Sequence, residues 1–570
     1  MTDGVYDPLA RYRDEFRERF ASLAREKFKA LAERSGVDAA ENRALAGKIR
    51  ILEKRAASAS GWKTFAGCVI AIGFAGAAAA AAFAARTADP QSRNLCIAVA
   101  AAGAAAGIAA IFAFLKKSKL LKSLASEIDG GKRIAWRQME PLNRLYGWGI
   151  PADLAEQTVP RLAFDSYLSE ARLDSLRRSF GWSDSFNEDK SVLCALSGEI
   201  GGSPFVFCHY REMEWGMKTY EGTRTISWTE WERDSEGRRR AVTRYQTLVA
   251  TVTKPYPEYN ERKILLFGND AAPNLSFTRA PSGLSGEDGA LWSSIKKKWR
   301  LSRLKAFSRN LDDDSNFTLM GNHEFETWFH AKDRDNEVEF RMLFTPVAQM
   351  QMLNLMKDSD TGYGDDFAFV KRGKMNLIVA RHLAGAAIDT GPARFRNWDF
   401  DAAEARFSQF NERFFKDVYF ALAPLLSIPL YQQPGGGSAG GGDPAQGPSS
   451  FWEHEAAANG LGEENFEHGE CATPNILKTR ILGRENGESE IEVSAHGFRG
   501  VDRVDFESVL GGDGKWHTVD VPWVEYLPVR KTGVMFLRES APDPGSRGAR
   551  AEGARASSAR GAILSRIARP

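Results

Sequence analysis

Three residues near the C-terminal end of the chain come closest to metal chemistry: His454, His468 and Cys471. His468 and Cys471 are three positions apart, a spacing that can chelate zinc, with Glu453, Glu455 or Glu467 nearby to add an oxygen. A structural zinc site needs four ordered ligands and no second cysteine pair is at hand, so ordinary surface or capping roles are expected. Asp312-Asp313-Asp314-Ser315-Asn316 opens like a calcium loop, but Phe317 takes the turn-glycine position and His323 the closing glutamate position. Asp358 and Asp360 begin a similar frame that ends on Phe369. His323, Glu324 and His330 could move protons, yet the two histidines are seven apart, with Trp328 and Phe329 alongside. Nothing in the sequence assembles the pocket that acid–base catalysis requires. Cys208 and His209 are neighbours on an expected strand, so their side chains point to opposite faces. The chain has no HExxH, no Walker lysine loop, no GxGxxG after a strand and no strand-to-helix GxSxG elbow. No residue is assigned a catalytic, cofactor-binding or metal-binding role, and no cofactor is implied.

The elements around these residues are more informative. Thr64–Ala85 and Asn94–Leu115 are each 22 residues without a charged side chain, and a helix needs about 20 to cross a bilayer core. The eight residues between them, RTADPQSR at 86–93, hold a turn at Asp89-Pro90, so two spans here form an antiparallel hairpin. Both are alanine-rich, 11 and 10 of 22 residues, which also suits a buried soluble hairpin; the unbroken charge-free run favours lipid. Lys48, Arg50, Lys54, Arg55 and Lys63 precede the first span and Lys116, Lys117, Lys119 and Lys122 follow the second. The short loop has only Arg86 and Arg93. The positive-inside bias therefore puts both termini in the cytoplasm of a multi-pass inner-membrane protein. Gly103 and Gly107 form a GxxxG and Gly73 and Gly76 a second smooth face, surfaces that suit helix association and a homo-oligomer through the hairpin.

The fold class read from the rest is α+β. Residues 1–60 are expected as cytosolic helices, 61–116 as the transmembrane hairpin and 117–185 as a juxtamembrane helical segment. Residues 186–433 form a cytosolic α+β domain in this reading. Its expected strands cover 191–196, 204–211, 224–233, 238–253 and 263–267, with a turn at Asp234-Ser235-Glu236-Gly237. Trp215, Trp228 and Trp231 fall among them, and core packing is the commoner explanation. Thr345-Pro346 reads as a cap opening a helix whose Val347, Met350, Leu353 and Met356 face inward. A helix over 401–422 presents Phe407, Phe410, Phe414, Val418 and Leu422, and the twelve apolar residues 420–431 are too short and proline-broken to span. Seven glycines and three prolines make 434–450 a linker; 451–540 is a small β-rich module and 541–570 a disordered basic tail.

Phe325, Phe329, Asp335, Glu339, Arg341, Leu343, Thr345, Pro346 and the later FAFVKRGKMNLIVA at 367–380 carry a resemblance. Together with the hairpin and the β-rich 190–270 segment, they resemble a bacterial family known only as a domain of unknown function. The resemblance covers about 64–382 and implies paired N-terminal membrane helices followed by a cytosolic α+β domain. It implies no activity.

Composition narrows the partners. With 76 Lys and Arg against 74 Asp and Glu, the net charge of +2 gives no case for nucleic acid. Five scattered cysteines do not make a disulfide framework. The expected role is a membrane-anchored interaction or scaffold protein, partnered by the bilayer and by a protein of unknown identity. An enzyme at the membrane surface and a transport-associated component are the alternatives.

Overall fold

The computed structural model describes residues 7–86, 89–233, 238–284, 318–433, 447–539, 555–557 and 563–568. The Asp312–Asn316 stretch, the turn at 234–237 and residues 434–446 of the expected linker lie outside them. The chain forms two compact units, 24–146 with 392–410, and 1–23 with 147–391 and 411–570.

In the first unit, Ala39–Arg86 and Pro90–Leu145 form an antiparallel helical hairpin. Alanine supplies the helix propensity. Asp38 accepts from the Ala40 and Glu41 amides and Asp89 from those of Gln91 and Ser92, so each helix starts on an aspartate cap. Pro90 sits at the first helical position, where its missing N–H costs nothing. Away from the apolar runs the helices bury Ile49, Ile128 and Ala135 against Leu45, Leu52 and Trp398. Buried Asn42 donates to the Trp398 carbonyl at 3.0 Å and accepts from the Phe400 amide at 2.9 Å. Lys132 pairs with Glu53 at 2.7 Å.

The second unit is built on two antiparallel sheets. One has seven strands: β1 (Leu162–Phe164), β2 (Lys190–Ile200), β3 (Ser203–Arg233), β4 (Arg239–Gly268), β5 (Ser276–Arg279), β6 (Phe367–Arg372) and β7 (Met375–Ala380), in the order 1-2-3-4-7-6-5. The other has five: β8 (Ile476–Glu485), β9 (Glu488–Leu510), β10 (Trp516–Glu539), β11 (Arg555–Ser557) and β12 (Ile563–Ile567), in the order 11-12-10-9-8. Mixed α and β with a β-rich C-terminal part is therefore the architecture. A dense phenylalanine cluster under β5 and β6, with Phe277, Phe325, Phe329, Phe340, Phe344 and Phe369 all buried, anchors the short helices of 323–357.

Four details differ from the sequence reading. The separate strands expected over 204–253 merge into β3 and β4, 31 and 30 residues long and paired without a bulge from Phe205↔Phe267 to Arg233↔Arg239. Gly216 and Gly222 do not break β3, because β4 pairs across both. Second, the helix Pro346–Lys357 is capped by Thr345 as expected, but Val347 and Met350 are exposed. Leu353 and Met356 are buried as expected, together with Ala348, Met352 and Leu355, and Gln349 is buried and donates to the Phe344 carbonyl at 2.8 Å. A side-chain amide with a backbone partner replaces one apolar residue. Third, the final four residues of the expected linker are held in place: Pro448 O accepts from Glu170 N at 2.8 Å and Ser450 N donates to Leu168 O at 2.9 Å. Fourth, Ile563–Ile567, inside the stretch expected to be disordered, pairs with β10 from Met535 to Glu539 and buries Ile563. Five residues that turn Ile563 and Ser565 inward suffice once a sheet edge is waiting for them.

Candidate functional site

The hairpin presents an apolar surface that the described residues of its own unit leave uncovered. The two apolar windows are only 6% and 11% buried, and Trp62, Phe65, Ile72, Phe83, Leu95, Ile97 and Phe112 stand at least half exposed. Both helices are long and apolar enough to cross a membrane. Gly73, Gly103 and Gly107 face inward, whereas Gly76 meets open space. A Cβ on Gly73 would stand 2.9 Å from the Gly103 carbonyl, one on Gly103 would stand 3.0 Å from the Gly73 carbonyl, and one on Gly107 would meet the Phe74 ring at 2.9 Å. The Gly103/Gly107 face is thus occupied within the hairpin itself.

In the sheet unit, β3 loses its β2 neighbour at Glu212, and β4 meets β7 only over Leu265–Gly268. Beyond those points β3 and β4 continue as a two-stranded arm of some 20 residues, about 70 Å at the usual rise. The distal halves of β9 and β10 form a second arm. The two pack face to face through Ile226, Leu248, Ala250, Val252, Val519 and Val521. Contact is close because Gly222 has no side chain: a Cβ there would press on the Asp520 carbonyl and lie 2.9 Å from Val521 Cα. Lys254 lies over the Trp523 ring at 4.5 Å and pairs with Asp505 at 2.5 Å, and Trp523 donates to Asp505 at 2.8 Å.

The outer faces of the arms differ. On β3 and β4, Thr219, Thr223, Thr225, Thr229, Thr243, Thr247, Thr251 and Thr253 all point outward, with Trp231 and Tyr245 among them at 69% and 74% exposure. Threonine is both β-branched and polar, so it holds a strand while keeping its face wetted. On β9 and β10 the outer face carries Val504, Phe506, Leu510 and Trp516, all exposed, with Asp520 opposite Phe506. Prolines blunt the free edges: Pro255 and Pro257 on β4, Pro522 and Pro528 on β10, each pair an even number apart so the missing N–H groups fall on one side. Of the three tryptophans expected in a core, Trp215 and Trp231 are exposed and Trp228 is half-buried, donating to Glu230 at 3.0 Å.

Polar groups inside the sheet unit are committed to structure. Arg279 and Asp365 form a fully buried ion pair, and the Ser282 amide donates to the same carboxylate at 2.6 Å. Arg334 holds Glu326 at 2.8 Å and Glu337 at 2.6 Å while donating to the Thr318 carbonyl at 2.8 Å. Lys371 is buried against the Ala271 and Gly373 carbonyls, at 3.0 and 2.6 Å, and burial pulls it down to about 7. His382, not singled out by the sequence, is the residue closest to a catalytic geometry. Its Nδ1 lies 2.6 Å from Asp366 and its Nε2 3.1 Å from the Asp417 carbonyl, with Tyr363 stacked on the ring at 4.1 Å. Both ring nitrogens face protein acceptors, so neither is left for a substrate. Tyr363 donates to Asp417, whose carboxyl burial raises above its usual range.

The helix Phe451–Leu461 joins the two sheets. Trp452 and Ala456 enter the seven-stranded sheet's core, whereas Ala457, Ala458 and Leu461 enter the five-stranded sheet's core. Glu455 accepts from Val192 N at 2.9 Å, Lys478 at 3.0 Å and Asn187 at 3.0 Å. Glu453 accepts from Leu168 N at 2.8 Å, and burial pushes its carboxyl up to about 8. His454 Nε2 lies 3.1 Å from Ser449 Oγ, which lies 2.9 Å from Glu539. The serine has one proton, and the carboxylate takes it, so His454 must be the donor to Ser449. That order is the reverse of a nucleophile with its base. Burial holds His454 down at about 4, in the neutral form.

The other residues with chemistry-bearing types do not assemble. His468 Nδ1 accepts from the Glu470 amide at 3.2 Å, while Cys471 Sγ lies 3.2 Å from the Thr473 carbonyl. Cys208 is buried and His209 turns to Glu261 at 3.2 Å, on opposite faces as the strand requires. Glu324 pairs with Lys357 at 2.8 Å, and Asp358 caps the Thr361 and Gly362 amides. Among the described residues, no group of three or more His, Cys, Asp or Glu is placed to hold a metal ion. No family model, curated protein or solved structure matches the chain.

Proposed function

We propose that the protein is a membrane-anchored scaffold: Thr64–Ala85 and Asn94–Leu115 cross the inner membrane as a hairpin, and the sheet unit recruits a protein on the cytoplasmic side. The observation that supports this most is the charge-free, outward-facing surface of both helices, which the described residues of the helical unit leave almost entirely uncovered. The Lys and Arg bias of the flanks supports the orientation. The exposed aromatic side chains of the arms supply a binding face, since tryptophan and tyrosine dominate hot spots when a partner desolvates them. The resemblance to the bacterial membrane family of unknown function belongs to the same reading. The test has two parts. Reporters active only in the cytoplasm, fused at Asp7 and Pro570, both give signal; signal from one end alone means that one run does not span. Cross-linked capture from native membranes then retains a partner with wild type and loses it with Trp231→Ser/Trp516→Ser; capture unaffected by that variant removes the arms as the binding face.

A further inference from the structure

The two ends of the apolar hairpin are chemically unlike. At the loop end stand Arg86 and Arg93, with Asp89 between them engaged as a helix cap. At the other end stand Lys54, Arg55, Lys63, Lys116, Lys117, Lys119 and Lys122, and no Asp or Glu occurs in 54–63 or 116–126. Lys63 Nζ lies over the Phe114 ring at 5.1 Å, which puts the two helices' contributions at one level. From there the helix rise places Lys122 about 10 Å and Lys54 about 15 Å beyond the apolar runs, the depth of a headgroup layer and its counterion atmosphere. None of the seven makes an ion pair with a described residue, whereas Lys132, further along, is paired with Glu53. Trp62 and Phe65, each 60% exposed and in edge-to-face contact at 5.7 Å, sit at the boundary where amphipathic rings anchor.

We propose that this unpaired cationic collar is a binding surface for the phosphate headgroups of anionic lipids, which it gathers around the hairpin. The inference rests on the membrane-anchor reading and goes beyond it. The anchor reading uses these charges only to set orientation; left unpaired at headgroup depth, the same cations also attract anionic lipid at equilibrium.

The experiment uses the full chain reconstituted in phosphatidylcholine bilayers with trace spin-labelled phosphatidylglycerol or phosphatidylcholine, reading the fraction of each lipid immobilised at the protein. Wild type favours the anionic lipid roughly fivefold at low salt, the worth of about one lysine contact. The preference falls towards unity in 1 M salt, where screening acts over about 3 Å, and in Lys116→Gln/Lys117→Gln/Lys119→Gln/Lys122→Gln. It is unchanged in Arg86→Gln/Arg93→Gln. The salt series on wild type keeps the test decisive if the quadruple variant misfolds. Equal immobilisation of the two lipids by incorporated protein, or a preference that survives both salt and the quadruple variant, overturns the collar and leaves the anchor standing. A preference abolished by inorganic phosphate but not by chloride of equal ionic strength makes the collar a free-anion site and overturns the lipid assignment. Failure to enter bilayers at all overturns both readings.

Discussion

Two long hairpins in this protein solve opposite problems with the same means. In the helical hairpin Gly73, Gly103 and Gly107 face inward, with Phe74 packed on Gly107, and Trp62, Phe65, Ile72, Phe83, Leu95, Ile97 and Phe112 point out. In the paired β arms Ile226, Leu248, Val519 and Val521 face inward, and the outside is threonine with isolated aromatics on β3 and β4 and a mixed face with Val504, Phe506, Leu510, Trp516 and Asp520 on β9 and β10. An element surrounded by water buries its grease, and the inverted pattern of the helical hairpin is what the membrane proposal rests on. In both, one glycine-lined approach sets the spacing: Gly103 against the Gly73 carbonyl in one, Gly222 against the Asp520 carbonyl in the other. The contrast teaches that close backbone approach is common to both hairpins, while the character of the exposed surface sets them apart.

The comparison breaks most visibly if Gly222→Val leaves the arms together. That substitution puts a branched side chain into the β10 backbone, and we expect it to cost about 3 kcal/mol or more and to splay the arms. Hydrogen exchange then shows lost protection over 219–228 and 517–523, with β6 and β7 unaffected. A protected arm would mean that the inner face tolerates volume and is not close-packed. Next in size is Val521→Ala, which removes buried contacts and costs about 2 kcal/mol by denaturant unfolding. Its outward counterparts Phe506→Ser and Trp516→Ser change stability by no more than about 0.5 kcal/mol. Similar losses inside and outside would erase the distinction between core and binding face.

Gly107→Ile acts on the other hairpin. It meets the Phe74 ring and separates the helices, which a fluorescence pair on Ser60 and Lys119 reports as a longer distance in bilayers. An unchanged distance, with less cross-linking between copies, would show that this face joins protomers and not helices.

A pH-dependent effect concerns the helix that joins the sheets. Glu453 ionises near 4.3 in an unfolded chain, about 8 when buried. Raising a carboxyl means that the fold binds the proton more tightly than the unfolded chain. The stabilisation is complete below about pH 4.3 and is lost as pH climbs towards about 8. Thermal unfolding of wild type therefore weakens across that window, and Glu453→Gln flattens the profile. An equally steep profile in the variant assigns the pH dependence to another group.

The hairpin is legible in the sequence because twenty-two charge-free residues admit few alternatives, and the loop's Asp89-Pro90 signals its own cap. The arms are only half legible. Period-two alternation marks strands, but Gly216, Gly222, Pro255 and Pro257 read as breaks, and their tolerance depends on a partner strand that local pattern does not reveal. The threonines at 219, 223, 225, 229, 243, 247, 251 and 253 are all odd-numbered, a parity that by itself marks one solvated face. Ser449, His454 and Glu539 cannot be foreseen together, being separated by up to 90 positions and joined only where the start of the helix Phe451–Leu461 meets the end of β10. The same holds for His382 and Asp417, from two different helices. Trp215 and Trp231 show the limit of composition, since aromatic residues suit a core and a binding face equally.

The most direct test is the solvent that surrounds the first span. In a cysteine-free background, Ala75→Cys places one thiol on the exposed middle of the apolar helix and Ser58→Cys places another in the cationic flank. A membrane-impermeant maleimide is applied to inverted vesicles and again after SDS. A membrane-spanning hairpin predicts rapid labelling at 58 in intact vesicles and labelling at 75 only after SDS; equal labelling of both in intact vesicles would contradict it.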